Sequence, residues 1–128
     1  MSEAESQPAA PQPVWVNLLE ACRATEHSGP QWAHECEDLD MTLLSWKGGR
    51  CIEAHLNTEV DVFVIGVEGT GVVTVNGQSH KIQSGVALLI PKGSERAVES
   101  TSERFSYLSV HRRRRGIVLS LNGRPRPG

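Results

Sequence analysis

Among the side chains of this 128-residue chain that could hold ligands or move protons, six are the candidates: His55, Asn57, Asp61, Arg96, Tyr107 and His111. An imidazole such as His55 binds metal ions or exchanges protons near neutral pH, and it also serves as a plain hydrogen-bonded structural group. Asn57 offers a neutral donor and acceptor that can grip a ligand but coordinates metal weakly; the same amide can instead cap the following loop. Asp61 follows His55 by six positions. On a continuous strand it shares a face with His55, Asn57 and Glu59 and can orient the imidazole as a general base. A one-residue slip turns it away and leaves it to pair with Arg50 or Arg96. Arg96 carries a permanent planar charge, suited to a carboxylate or phosphate or to an internal ion pair with Glu59, Asp61 or Glu99. Tyr107 and His111 fall on one face of an alternating segment, where a tyrosine serves equally as a core residue.

Strands must position these groups. Residues 85–96, GVALLIPKGSER, read as a buried strand over 86–90 closed by a tight turn. Pro91 cannot donate to a sheet ladder and belongs at a strand end, and Gly93 can take backbone angles closed to other residues. The turn delivers Ser94, Glu95 and Arg96 to the mouth of whatever the strand helps enclose. Upstream, 71–75 and 78–82 form a hairpin through Asn76-Gly77. Residues 39–46 are β-prone and stop at Lys47-Gly48-Gly49. In 50–57 alternation puts Cys51, Glu53, His55 and Asn57 on one face and Ile52, Ala54 and Leu56 on the other. Residues 60–67 form an apolar strand, and 96–100 and 104–111 two more. Residues 31–36 read as a strand carrying Trp32, after a turn at Ser28-Gly29-Pro30. Residues 14–24 suit either an edge strand with a helical turn or one short helix. Many short strands without a long amphipathic helix indicate an all-β sandwich or barrel.

The glycine and proline skeleton resembles that of the cupin family over about residues 39–110. In the second cupin motif a glycine precedes Pro-x-Gly, then a histidine and an asparagine. Gly85, Pro91 and Gly93 match, with Arg96 at the histidine position and Ser100 at the asparagine position. In the first motif His55 and Gly69 match, Asn57 stands at the second histidine, and the glutamate position falls on Val62, beside Asp61. The resemblance implies a double-stranded β-helix, or jelly-roll, barrel with the polar face of 50–57 turned into the cavity. It also implies a homodimer paired through the barrel sheets. With most metal ligands replaced and a cation at position 96, no metal cofactor is expected. The expected ligand-binding residues are His55, Asn57, Arg96, His111 and Tyr107, favouring a small anion.

Three function classes follow. The first is a small-molecule-binding protein. The second is an enzyme. Its metal-free form resembles the sugar epimerases of the wider superfamily, with His55 as base, Asp61 orienting it and Arg96 stabilising an oxyanion. Its metal-dependent form would draw on His55, Asp61 and His111. The third is a nucleic-acid or regulatory partner using the HRRRR run at 111–115.

Composition narrows these. At this length and 38% hydrophobic content the chain is one globular domain, with no apolar run long enough to span a bilayer. The acidic, Pro-rich start lacks the features of a secretory signal, which makes the cytoplasm the default location. Three cysteines without a Cys-x-x-Cys pair read as reduced thiols. Residues 1–40 hold eight acids against Arg23, while 104–128 hold seven arginines and no acid, so the two ends are expected to lie together. Without a nucleic-acid-binding module the arginine run reads as a solvated strand end, and neither nucleic acid nor membrane is an expected partner. The expected organisation is a disordered lead at 1–13, a barrel at 14–116 and a tail at 117–128.

Overall fold

The computed structural model describes residues 10–114, so the tail expected at 117–128 and most of the lead lie outside the described residues. Nine strands and one short helix follow in chain order: α1 (Leu18–Arg23), β1 (Gly29–Glu35), β2 (Leu39–Lys47), β3 (Cys51–Asn57), β4 (Val62–Glu68), β5 (Thr70–Val75), β6 (Gln78–Gln83), β7 (Ala87–Ile90), β8 (Ser94–Ser100) and β9 (Arg104–Arg112). They form two antiparallel sheets, ordered β1-β2-β9-β4-β7 and β3-β8-β5-β6. This is the jelly-roll architecture.

Alternation along the strands builds the core. Val62 and Val64 of β4, Val73 of β5, Ile82 of β6, Ile90 of β7, Val98 of β8, and Phe105 and Tyr107 of β9 meet between the sheets, with Leu44, Trp46 and Leu88 packed against them. Gly71 allows this closeness, since a Cβ there would stand 2.3 Å from the Phe105 ring. A second cluster joins Cys22 of α1 to Leu43 and Val67, with Trp32 and Leu108 packed against it. The helix is fixed by the Asn17 side chain, which accepts the Glu20 amide, and by the Arg23 Nε–H, which donates to Glu68 at 2.8 Å. Residues 10–17 precede it without regular structure, so of the two readings of 14–24 the edge strand is absent and one short helix, confined to Leu18–Arg23, is present.

Two expectations need correction. The run at 86–90 is not a doubly buried strand. β7 begins at Ala87, pairs only with β4 and keeps Leu89 57% exposed, because an edge strand of a two-layer fold has a single core face. The simple alternation of 50–57 also fails. A register shift between Ile52 and His55 puts Ile52 opposite Val98 and His55 opposite Arg96. An inserted residue breaks the two-residue period, so Ile52 packs on the main core instead of opposing His55.

The expected meeting of the acidic and arginine-rich ends occurs within the chain. β2 pairs with β9, bringing Leu39 opposite Arg112, and Arg113 lies 3.5 Å from the Glu35 carboxylate.

Candidate functional site

The two inner faces converge on one end of the barrel. On the smaller sheet, register aligns His55, Arg96 and Val75 in one row, with Asn57 and Ser94 paired beside it. On the larger sheet, Asp40, His111, Val62 and Ile90 form the corresponding row.

Arg96 extends into the barrel. It lines a cavity of about 20 Å³ with Leu44, Val64, Val73, Ile90, Val98, Tyr107 and Ser109. That volume holds about one water molecule. The Arg96 Nη1 is shut off from solvent and has no hydrogen-bond partner among the described residues. Among the described residues no carboxylate forms an ion pair with Arg96: Glu59 pairs with Arg114, and Asp61 accepts the Lys92 amide at 2.8 Å. Burial pushes the Arg96 guanidinium below its ordinary value, and the charge of Arg114 adds to the effect. A half-buried guanidinium with one sealed-off, unpartnered nitrogen is costly, and an anionic oxygen is the group that would relieve it.

Tyr107 faces the same cavity. Its hydroxyl accepts the Trp46 Nε1–H at 3.2 Å, and its ring packs on Phe105 at 5.2 Å between centroids. Burial raises the phenol above its ordinary value, opposed by the Trp46 hydrogen bond and the Arg96 charge.

His55 lies on the outermost strand of its sheet and is exposed, so it borders the opening without being enclosed by it. Asn57 is buried and committed. Its Nδ2 donates to the Val60 carbonyl at 2.7 Å, and its Oδ1 accepts the Glu59 and Val60 amides. Asp61 is exposed and braces the Pro91–Gly93 turn through the Lys92 amide, and among the described residues no hydrogen bond joins it to His55. The structure thus brings His55 and Arg96 together, and sets Asp61 to work on the turn.

The unexpected member is Arg114. Its side chain is 9% exposed, and its Nε–H lies 3.0 Å from Glu59 Oε1. Its other nitrogens reach His111 Nε2 at 3.3 Å and Asn57 Oδ1 at 3.5 Å. Burial lowers its guanidinium below the ordinary value, opposed by Asp40. In the sequence it is one arginine of a run of four, and nothing in that run separates it from its neighbours.

A family model described as "Cupin domain" matches residues 42–111, more than half of the chain. The chain belongs to the cupin family. This cupin is 35% identical over 72 residues to the dimethylsulfoniopropionate lyase DddW of Ruegeria pomeroyi, a match covering 55% of this chain and 47% of that protein. The chain therefore spans about half the length of the curated relative it matches. Among solved structures, a Bacillus halodurans protein matches with TM-score 0.67 at 24% identity, covering 82% of this chain and 84% of that one. A cupin-2 domain protein of Shewanella frigidimarina matches with TM-score 0.66 at 22% identity, covering 77% and 94%.

The metal that the family implies does not fit these residues. Among the described residues no three His, Cys, Asp or Glu side chains cluster closely enough to hold one ion. His55, Asp61 and His111, the set considered from sequence, do not converge. The groups that do occupy the barrel end are the guanidiniums of Arg96 and Arg114, which repel a divalent cation.

Proposed function

We propose that this cupin is a metal-independent binder of a small organic anion, whose carboxylate is held by Arg96 in the mouth of the barrel. The buried Arg96 Nη1, which has no partner among the described residues, carries this reading. Tyr107 stands beside it as a neutral hydroxyl, because burial disfavours the phenolate. The internal cavity of about 20 Å³ admits little more than one oxygen atom, so the body of the ligand sits outward, between His55 and His111. The relative named as a dimethylsulfoniopropionate lyase supports a carboxylate ligand, since its named substrate is a propionate.

A second reading is catalytic. Register pairs His55 with Arg96, so an exposed imidazole stands beside the proposed anion anchor. A base next to a carboxylate-binding arginine is suited to removing a proton from the carbon chain of a bound acid. Asp61 does not take part, because it is held on the Lys92 amide.

Titration of the full chain with acetate and with dimethylsulfoniopropionate by calorimetry tests both readings. Saturable binding lost in Arg96→Gln supports the anion site; binding unchanged in that variant overturns it. Turnover of dimethylsulfoniopropionate lost in His55→Ala supports the catalytic reading, and binding without turnover removes it.

A further inference from the structure

Arg114 is held differently from Arg112 and Arg113. Arg113 is half exposed beside Glu35, and Arg112 reaches the Glu59 carbonyl from an exposed position. Among the described arginines of the run, Arg114 alone has its side chain 9% exposed with three acceptors spread around the guanidinium: Glu59 Oε1, His111 Nε2 and Asn57 Oδ1.

These acceptors owe much of their orientation to other contacts. The Asn57 Nδ2 donates to the Val60 carbonyl, which fixes the amide with its oxygen toward the Glu59 and Val60 amides. The His111 Nδ1 lies 2.9 Å from the Arg112 carbonyl. A carbonyl only accepts and a guanidinium only donates, so the contacts with Arg112 and Arg114 suit the ring form with its proton on Nδ1 and its lone pair on Nε2. The Asp40 carboxylate, 3.9 Å from His111 Nε2, adds negative charge behind the site. The result is a cradle matched to a planar, delocalised cation, in which Asn57 and His111 are oriented by contacts other than Arg114.

We propose that Arg114 is a resident pseudo-ligand. Its guanidinium fills a cation subsite formed by Glu59, Asn57 and His111, and a guanidinium-type cation of an external ligand takes its place. Because Arg96 lies further in and lacks an anion, the full ligand is a short zwitterion. Its cationic group displaces Arg114 and its carboxylate reaches Arg96, an extension that rests on the anion-binding reading above. As part of the chain, Arg114 competes at a high effective concentration, so the intact protein excludes free cations that lack the carboxylate.

The test uses the full chain and its variants Arg114→Ala and Arg114→Gln, each checked for folding by circular dichroism. Methylguanidinium chloride is titrated while the Asn57 side-chain amide and His111 ring resonances are followed, with sodium chloride as the ionic-strength control. The expected result is saturable shifts at both residues in both variants, at least tenfold weaker binding in the unsubstituted chain, and loss of binding when Glu59→Gln is added to Arg114→Ala. If neither variant binds methylguanidinium saturably, or the unsubstituted chain binds it equally well, the cation subsite is overturned. 3-Guanidinopropionate should bind Arg114→Ala at least tenfold more tightly than methylguanidinium, with that advantage lost on adding Arg96→Met. Equal affinities overturn the zwitterion. Methylguanidinium binding without acetate binding removes the anion reading and leaves the cation subsite standing.

Discussion

The indole Nε1–H of Trp46 on β2 donates to the hydroxyl of Tyr107 on β9 at 3.2 Å, and that hydroxyl belongs to a ring buried in the barrel beside Arg96. The phenol is therefore held by one hydrogen bond in a mostly apolar chamber, within the field of an unpaired cation. Loss of solvent outweighs both stabilising influences on the phenolate, and the folded-state value lies above 10.0, the ordinary one.

Tyr107 is the sole tyrosine in the chain, so tyrosinate absorbance reports on it alone. The midpoint is expected above 10.0 in the folded protein and near it in urea. The unfolded chain releases this proton first. Stability from this group is thus complete below the unfolded value and falls as pH rises through it toward the folded value. Arg96→Met should raise the folded midpoint further, because the Arg96 charge opposes the shift. A folded midpoint at or below the urea value would refute burial as the dominant influence.

Arg96 separates function from stability. Its buried Nη1 lacks a partner, and desolvation of a cation opposes folding. Replacing such a group with an apolar side chain of similar length is often neutral or stabilising by about 1–4 kcal/mol. Arg96→Met is expected to keep or raise the urea midpoint and to abolish stabilisation by acetate. A clear loss of stability would mean that the guanidinium is a structural partner rather than an anion anchor.

The local signals that made the barrel legible are ones with a firm steric basis. Asn76 and Gly77 have φ of 50° and 83°, the geometry that the hairpin turn demands, and Gly85 and Gly93 also have positive φ. The matching glycine and proline positions brought His55 and Arg96 to neighbouring strands, where they pair. The bulge in β3 has no glycine or proline to announce it, and it changed which residues share a face with His55. Arg114 was hidden for another reason. Its burial depends on Glu59 and Asn57, which are distant in sequence, as well as on nearby His111, and a run of identical arginines carries no mark of which one turns inward. Asp61 was ambiguous between two faces, and the turn amide of Lys92 decided its place.

Asn57 is expected to matter to folding before it matters to binding. Its side chain satisfies the Val60 carbonyl and two amides, and its own carbonyl accepts the Gly93 amide at 2.6 Å. Truncation to alanine leaves buried polar groups without partners, at about 1–3 kcal/mol each before relaxation. Asn57→Ala should lower the urea midpoint at an unchanged slope, corresponding to a loss of at least about 1–3 kcal/mol of unfolding free energy. An unaffected midpoint would show that water replaces the amide at no cost and that the residue is free for a ligand role.

Metal addition is the remaining discriminator. A cation that binds the folded chain alone stabilises it by about 2.7 kcal/mol when present at a hundredfold excess over its dissociation constant. The positions that could offer donors contain Arg96 and Arg114, whose charges oppose entry of such an ion, while Asn57 and Asp61 are engaged with backbone groups. Zinc, iron, manganese or nickel should therefore leave the melting temperature of the untagged protein unchanged, and chelation should leave acetate binding intact. A metal-dependent rise in melting temperature that disappears in His55→Ala would overturn the metal-independent reading. The same rise retained in His55→Ala but lost in His111→Ala would move the ion to the β9 side of the mouth, and would equally end the proposal that guanidinium groups have replaced it.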